Sequence, residues 1–343
     1  MSMLRRRLMK SRKTEGVNSD NYLTIEALED GLTARLSRNA CEYCVDGDGN
    51  WKILTKATYT ESINKGQFFC FRGNIVPDSS TNGIGTFTVT KNFNLKGNVM
   101  SMLFGDNGKD SFSIEGKNYA FASLFNGCSK MQSVSAEFLP ATTLSEYCYY
   151  SMFKGCSAIV TSPNLPAQTM KDFCYGSMFE SCTKLFDAPK LTALNLAKSC
   201  YRRMFAYCRA MYYAPELPAN DLADSCYYQM FAWSDNLGAP PELPATTLTN
   251  YCYYWMFYGN TRLLTAPELP AITLAPYCYE GIFDACSNLS YVKAMFTTTP
   301  GTDYTSNWMR GVAAIGTFVK NKNATWDVIG ESGIPEGWNI KTE

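Results

Sequence analysis

The sequence predicts an α/β repeat solenoid of 26-residue repeats preceded by a small all-β domain, and three observations predict it. Cysteine recurs at Cys148, Cys174, Cys200, Cys226, Cys252 and Cys278, six times at a constant interval of 26 residues, each time followed by Tyr. Four and five positions after each Cys stand two further columns: Met152, Met178, Met204, Met230, Met256, Ile282, and Phe153, Phe179, Phe205, Phe231, Phe257, Phe283. Residues 20–99 lack this rhythm and instead alternate short apolar–polar runs with turn residues, the pattern of an antiparallel sheet.

The totals narrow the function classes. The 343 residues carry 31 basic and 31 acidic side chains, but residues 1–14 hold six of the basic ones and no acidic one, leaving 25 against 31 beyond them. A net-acidic body does not have the basic footprint of a nucleic-acid binder. With no histidine in the chain, His-based triads, Cys-His dyads and His metal ligands are excluded. An enzyme would have to work with Asp, Glu, Lys, Tyr or Cys alone. No apolar run is long enough to cross a bilayer, and the basic start is followed by no apolar signal-peptide core, so export by that route is not expected.

In chain order, residues 1–19 form a basic segment that reads either as a solvated tail or as an electrostatic anchor to a larger assembly. Strands are expected at 22–25, 32–36, 51–54, 68–71 and 85–89, within a sandwich-like domain over 20–99. Cys41 and Cys44 make a CxxC, but without a second pair and inside an expected strand they read as structural. Asp46, Asp48 and Asn50 imitate the start of a calcium loop without its distal Glu, which favours a hairpin turn. Residues 100–147 hold degenerate copies of the repeat and are expected to cap the array. The array itself spans 148–291, and 292–343 are expected to close its far end through Trp308, Trp326 and Trp338.

Within a repeat, Cys148, Met152 and Cys156 at i, i+4, i+8 predict one apolar face of a short helix. A strand should follow at 157–162 and stop at Pro163, since proline donates no ladder hydrogen bond. Helical geometry would hold Cys148 and Cys156 about 12 Å apart, beyond disulfide reach. Ser234 and Asn260 replace the second Cys in two repeats, so the thiols read as small buried apolar groups.

The x-Met-Phe-x-x-Cys unit, then a large apolar residue, then Pro, resembles the BspA-like leucine-rich repeats of bacterial surface proteins over about residues 100–320, with a repeat a few residues longer than the common form. The basic Arg-Arg-Arg-Leu-Met start and the Leu-Thr-Ile-Glu-Ala-Leu-Glu-Asp-Gly stretch are similar to proteins of gut-bacterial phages and prophages that join a short β domain to such repeats. The resemblance implies a leucine-rich-repeat-like fold and a virion-associated role, as a tail, fibre or receptor-binding component made in the bacterial cytoplasm. The alternatives are a bacterial cell-surface adhesin and, third, a carbohydrate-active enzyme.

Columns filled alike among the repeats build the core, and columns that differ are free to recognise a ligand. The variable columns supply Phe186, Asp187, Tyr212, Tyr213, Tyr254 and Trp255, and Glu216, Glu242 and Glu268 add a row of carboxylates after Pro. Aromatic faces and carboxylates suit a protein or glycan ligand. The same columns also read simply as solvated faces. Neither a cofactor nor a metal is expected. The expected partners are other virion or surface proteins through the N-terminal region and the ligand on the repeats, with homo-oligomerisation left open.

Overall fold

The computed structural model describes residues 16–78 and 83–343. Of the basic segment read at residues 1–19, residues 1–15 lie outside them. Seven strands occupy the first part of the chain: β1 Leu23–Ala27, β2 Ala34–Leu36, β3 Cys41–Val45, β4 Lys52–Leu54, β5 Phe68–Arg72, β6 Phe87–Val89 and β7 Phe93–Gly97. With β8 (Met131–Val134) they form a six-stranded sheet in the order β4-β3-β5-β1-β7-β8, while β2 and β6 pair separately. All contacts within the larger sheet are antiparallel except β7 with β8, and this parallel step leads from the sheet into the repeats. Burial is continuous across that step, because one hydrophobic cluster runs from Leu23 through the Phe and Tyr columns to Trp338.

From Tyr119 onward the chain winds in coils stacked on one another. The Phe column stacks ring on ring, with Phe125, Phe153, Phe179, Phe205, Phe231, Phe257 and Phe283 at centroid distances of 5.6–5.9 Å. The Tyr column from Tyr149 to Tyr279 stacks at 5.7–6.0 Å. Both columns are buried. One coil alone would expose its Cys, Met, Tyr and Phe; its neighbours cover them.

The helix expected over residues 148–156 does not form. Every fourth residue is left-handed instead: Tyr147 (φ 56°), Ser151 (φ 53°) and Gly155 (φ 73°) in one coil, Phe173, Ser177 and Ser181 in the next. The residues between make a chain of tight turns. Cys148, Tyr150, Met152, Lys154 and Cys156 donate their N–H three residues back, whereas Tyr147, Tyr149, Ser151, Phe153 and Gly155 donate to carbonyls of the following coil, 25 residues on. A helix keeps all its interior N–H groups to itself; this turn ladder gives half of them to its neighbour. Left-handed backbone costs about 1–2 kcal/mol per non-glycine residue, and the inter-coil hydrogen bonds and ring stacks offset it.

The strand expected in each coil shrinks to single bridges, Thr161 with Asp187, Tyr213 with Ala239 and Thr265 with Tyr291. The proline column explains this. Pro163, Pro189, Pro215, Pro241 and Pro267 each remove a ladder donor two residues after the bridge position. Where the column ends, position 293 is Lys, and a true strand, β9 (Tyr291–Ala294), forms there and pairs in parallel with β10 (Thr317–Lys320) and then β11 (Asn339–Thr342). Ser135 precedes the proline column at the other end of the array, and it follows directly on β8.

All fourteen cysteines are free and buried. Those of the second column also act as donors: Cys156 Sγ to the Phe125 carbonyl at 3.2 Å, Cys182 to Phe153 at 3.1 Å, Cys208 to Phe179 at 3.2 Å and Cys286 to Phe257 at 3.1 Å. Ser234 fills the same position and bonds the Phe205 carbonyl at 2.7 Å. These positions therefore need a small donor as well as apolar bulk. At the far end Trp308, Trp326 and Trp338 are buried, and their indole N–H groups bond the carbonyls of Gly333, Phe296 and Ala313.

Candidate functional site: a proline-lined groove with a carboxylate row

After each bridge the chain runs extended through Pro-Glu-Leu-Pro-Ala or its variants. Alternation along an extended chain turns successive side chains to opposite sides. Leu217, Ala219, Leu243 and Ala245 are therefore buried, whereas Glu216, Pro218, Glu242 and Pro244 face solvent. Because neighbouring coils hold the same sequence at the same register, Glu216, Glu242 and Glu268 fall in a row.

Between the coils that carry Glu216 and Glu242 lies a depression of about 560 Å³, lined by Tyr213, Leu217, Pro218, Ala239, Pro240, Pro241 and Pro244 together with the two carboxylates. A second, of about 430 Å³, continues it between Glu242 and Glu268. The two share Pro240, Pro241, Glu242 and Pro244, so they form one groove across three coils. Its walls are rigid, because proline rings hold φ and the leucines beneath are locked in the core.

The groove is electrostatically one-sided. At its end Lys293 pairs with Glu268 at 3.4 Å and with Glu343 at 3.1 Å. Among the described residues no cation pairs with Glu216 or Glu242. In the same column the earlier coils carry Asn164 and Lys190, so the charge changes sign along the ridge. Among the described residues no group of three or more His, Cys, Asp or Glu is placed to hold a metal ion.

The structure thus brings together four of the residues singled out from the sequence: Tyr213, 64% exposed, with Glu216, Glu242 and Glu268. Phe186 and Asp187 sit exposed one coil earlier, and Asp187 takes part in the bridge to Thr161. Tyr212 is half-buried, with its ring 4.8 Å from Tyr213 and the Arg262 guanidinium 5.1 Å from its centroid. Tyr254 and Trp255 lie elsewhere, on the turn ladder. Tyr254 stacks on Tyr228 at 4.6 Å and donates to Glu280 at 3.4 Å, and Trp255 packs edge-on to Tyr258 at 4.4 Å. Burial pushes the Glu280 carboxyl up and the Tyr254 phenol up as well, the latter with help from the Glu280 charge.

What the sequence reading missed is the proline lining. The Pro240-Pro241 pair, alone among the repeats in doubling that proline, marks the middle of the groove and could have located it. No helix of the described residues is long and apolar enough to cross a membrane. No family model, curated protein or solved structure matches this chain.

Proposed function

We propose that the protein is a non-enzymatic recognition or structural component of a phage-like particle, a leucine-rich-repeat-like solenoid carried on a small N-terminal β domain. The β domain attaches to the particle, and the solenoid presents the proline-lined groove to a protein or glycan on the target surface. The observation that carries this reading is the repetition of one surface unit, Pro then Glu, in register over three successive coils. A repeated site matches a repeated or extended ligand, whose successive units meet equivalent contacts.

The geometry argues against glycosidic cleavage as the purpose of these carboxylates. Hydrolysis needs two carboxyl groups on opposite sides of the bond to be cut, and Glu216, Glu242 and Glu268 stand side by side on one ridge. Such a row can accept hydrogen bonds from hydroxyl or ammonium groups along a chain, and Tyr213 supplies an aromatic surface at one end.

The test uses the purified chain on arrays of surface glycans and of extended peptides, beside a Glu216→Gln/Glu242→Gln/Glu268→Gln variant. Binding by the parent, reduced at least tenfold in the variant, is the expected result. Undiminished binding by the variant would remove the groove from the proposal, and absence of the chain from purified particles, read by mass spectrometry, would remove the particle.

A further inference from the structure

Cys44 and Cys70 face one another across neighbouring antiparallel strands, β3 and β5. The Asp46 N–H bonds the Phe68 carbonyl two pairs further along, past Val45 and Phe69, and because the two pair types alternate this puts Cys44 and Cys70 at a hydrogen-bonded pair position. That position sets their Cα atoms about 5.5 Å apart, inside the range a disulfide spans. Thr24 of β1 continues the row, with its Oγ1 3.6 Å from Cys70 Sγ. The pair belongs to a small cluster of its own, covered by Tyr22, Val17, Trp51 and Phe68. The repeat cysteines are arranged differently. They lie within the large core cluster, whereas Cys44 and Cys70 lie outside it.

We propose that Cys44 and Cys70 are a built-in dithiol that closes to a cross-strand disulfide by exchange with a small-molecule disulfide of the glutathione type. One protein thiolate attacks the small disulfide, forming a mixed disulfide and releasing one small thiol. The second protein thiol, as its thiolate, then attacks the mixed disulfide and releases the other. Two protein thiols are oxidised and one small disulfide is reduced to two thiols, the two protons passing to the departing sulfurs. Cys44 is the first to attack, because the neighbouring Cys70 thiol lowers it despite burial, while Cys44 and burial together hold Cys70 up. Entry is from the sheet edge. β4 is only three residues long with Lys52 and Ile53 exposed, and the cover over the pair is thin, so local opening there exposes the thiols without opening the core. The closed bond ties β3 to β5 around the edge hairpin. A chain made in a reducing cytoplasm and released into an oxidising exterior would gain this staple after release.

The experiment takes the full chain, purified reduced and folded, exposes it to oxidised glutathione, blocks remaining thiols with N-ethylmaleimide after denaturation, and maps peptides without reduction. The expected product has lost two hydrogens, contains one peptide linking Cys44 to Cys70, and carries the blocking group on all other cysteines. Its melting temperature rises by several degrees, and the rise is absent in Cys44→Ser and in Cys70→Ser. Should either variant fail to fold, the linked peptide of the parent decides alone. Linkages predominantly among repeat cysteines, or a pair that stays reduced while a free peptide dithiol oxidises alongside, would overturn the proposal.

Discussion

The indole of Trp255 lies over Gly281 of the next coil so closely that a Cβ built at Gly281 would stand 2.3 Å from its Nε1. Gly281 is also left-handed, at φ 58°. Three other pairs repeat the relationship at the same offset of 26: Tyr150 over Gly176, Tyr212 over Gly238 and Trp233 over Gly259. A large ring leans toward the following coil, and the residue it covers has no side chain.

Gly281→Ala should therefore destabilise the protein through two separable effects, left-handed strain of about 1–2 kcal/mol and overpacking of about 1–3 kcal/mol. Trp255→Ala in the same chain should recover the second and leave the first. A double-mutant cycle by urea denaturation measures the split, and strict additivity would mean that the ring and the glycine are not coupled.

Asn260 stands in the column of donor cysteines and is fully buried, but neither its carboxamide oxygen nor its nitrogen has a partner. Asn260→Cys or Asn260→Ser restores the small donor that Ser234 and Cys286 supply. Either should raise stability by about 1–2 kcal/mol, read as an increased urea midpoint with an unchanged slope.

The repeat thiols should be chemically silent in the native state. Burial pushes Cys174, Cys226 and Cys286 up to about 12, and Cys148, Cys156 and Cys200 well above the ordinary thiol range. A colorimetric disulfide reagent at pH 8 should leave them unmodified over hours and titrate them at once in denaturant. Rapid native labelling in the repeats would show that the coils open readily.

Glu180 is buried between Lys154 at 3.2 Å and Arg203 at 2.8 Å. Burial alone would raise its carboxyl, but Arg203 and then Lys154 outweigh that and lower it. A carboxyl depressed in the folded state stabilises fully above its unfolded value, near 4.5, and loses that contribution as pH falls through the folded value. Glu180→Gln should thus cost about 1–3 kcal/mol at pH 7 and progressively less as the pH falls below about 4. Denaturation curves at pH 7 and pH 3 compare the two, and an equal deficit at both would disprove the linkage.

The period, the core columns and the carboxylate row were legible in the sequence because each is a matter of identity at fixed spacing. The turn ladder was not. Its inward residues recur every four positions, close enough to the 3.6 of a helix that Cys148, Met152 and Cys156 fit both. Its left-handed positions carry Ser177, Arg203, Gln229 and Trp255, residue types that do not announce that conformation. The prolines are visible in the sequence, but their full effect is not, since a residue without a ladder donor in every coil reduces the expected strands to bridges. The ring-over-glycine pairs were present in the sequence as large and small residues 26 apart. They become visible only once side chains are known to lean toward the following coil.

The shared amides of the turn ladder all point one way. From Tyr119 to Ala285, each donated N–H reaches toward the higher-numbered coil and each accepting carbonyl faces back. Their dipoles add along the axis, as in an α-helix but with reversed polarity, so the positive pole lies at the C-terminal end. The array is thus vectorial, with a donor-rich top and an acceptor-rich base.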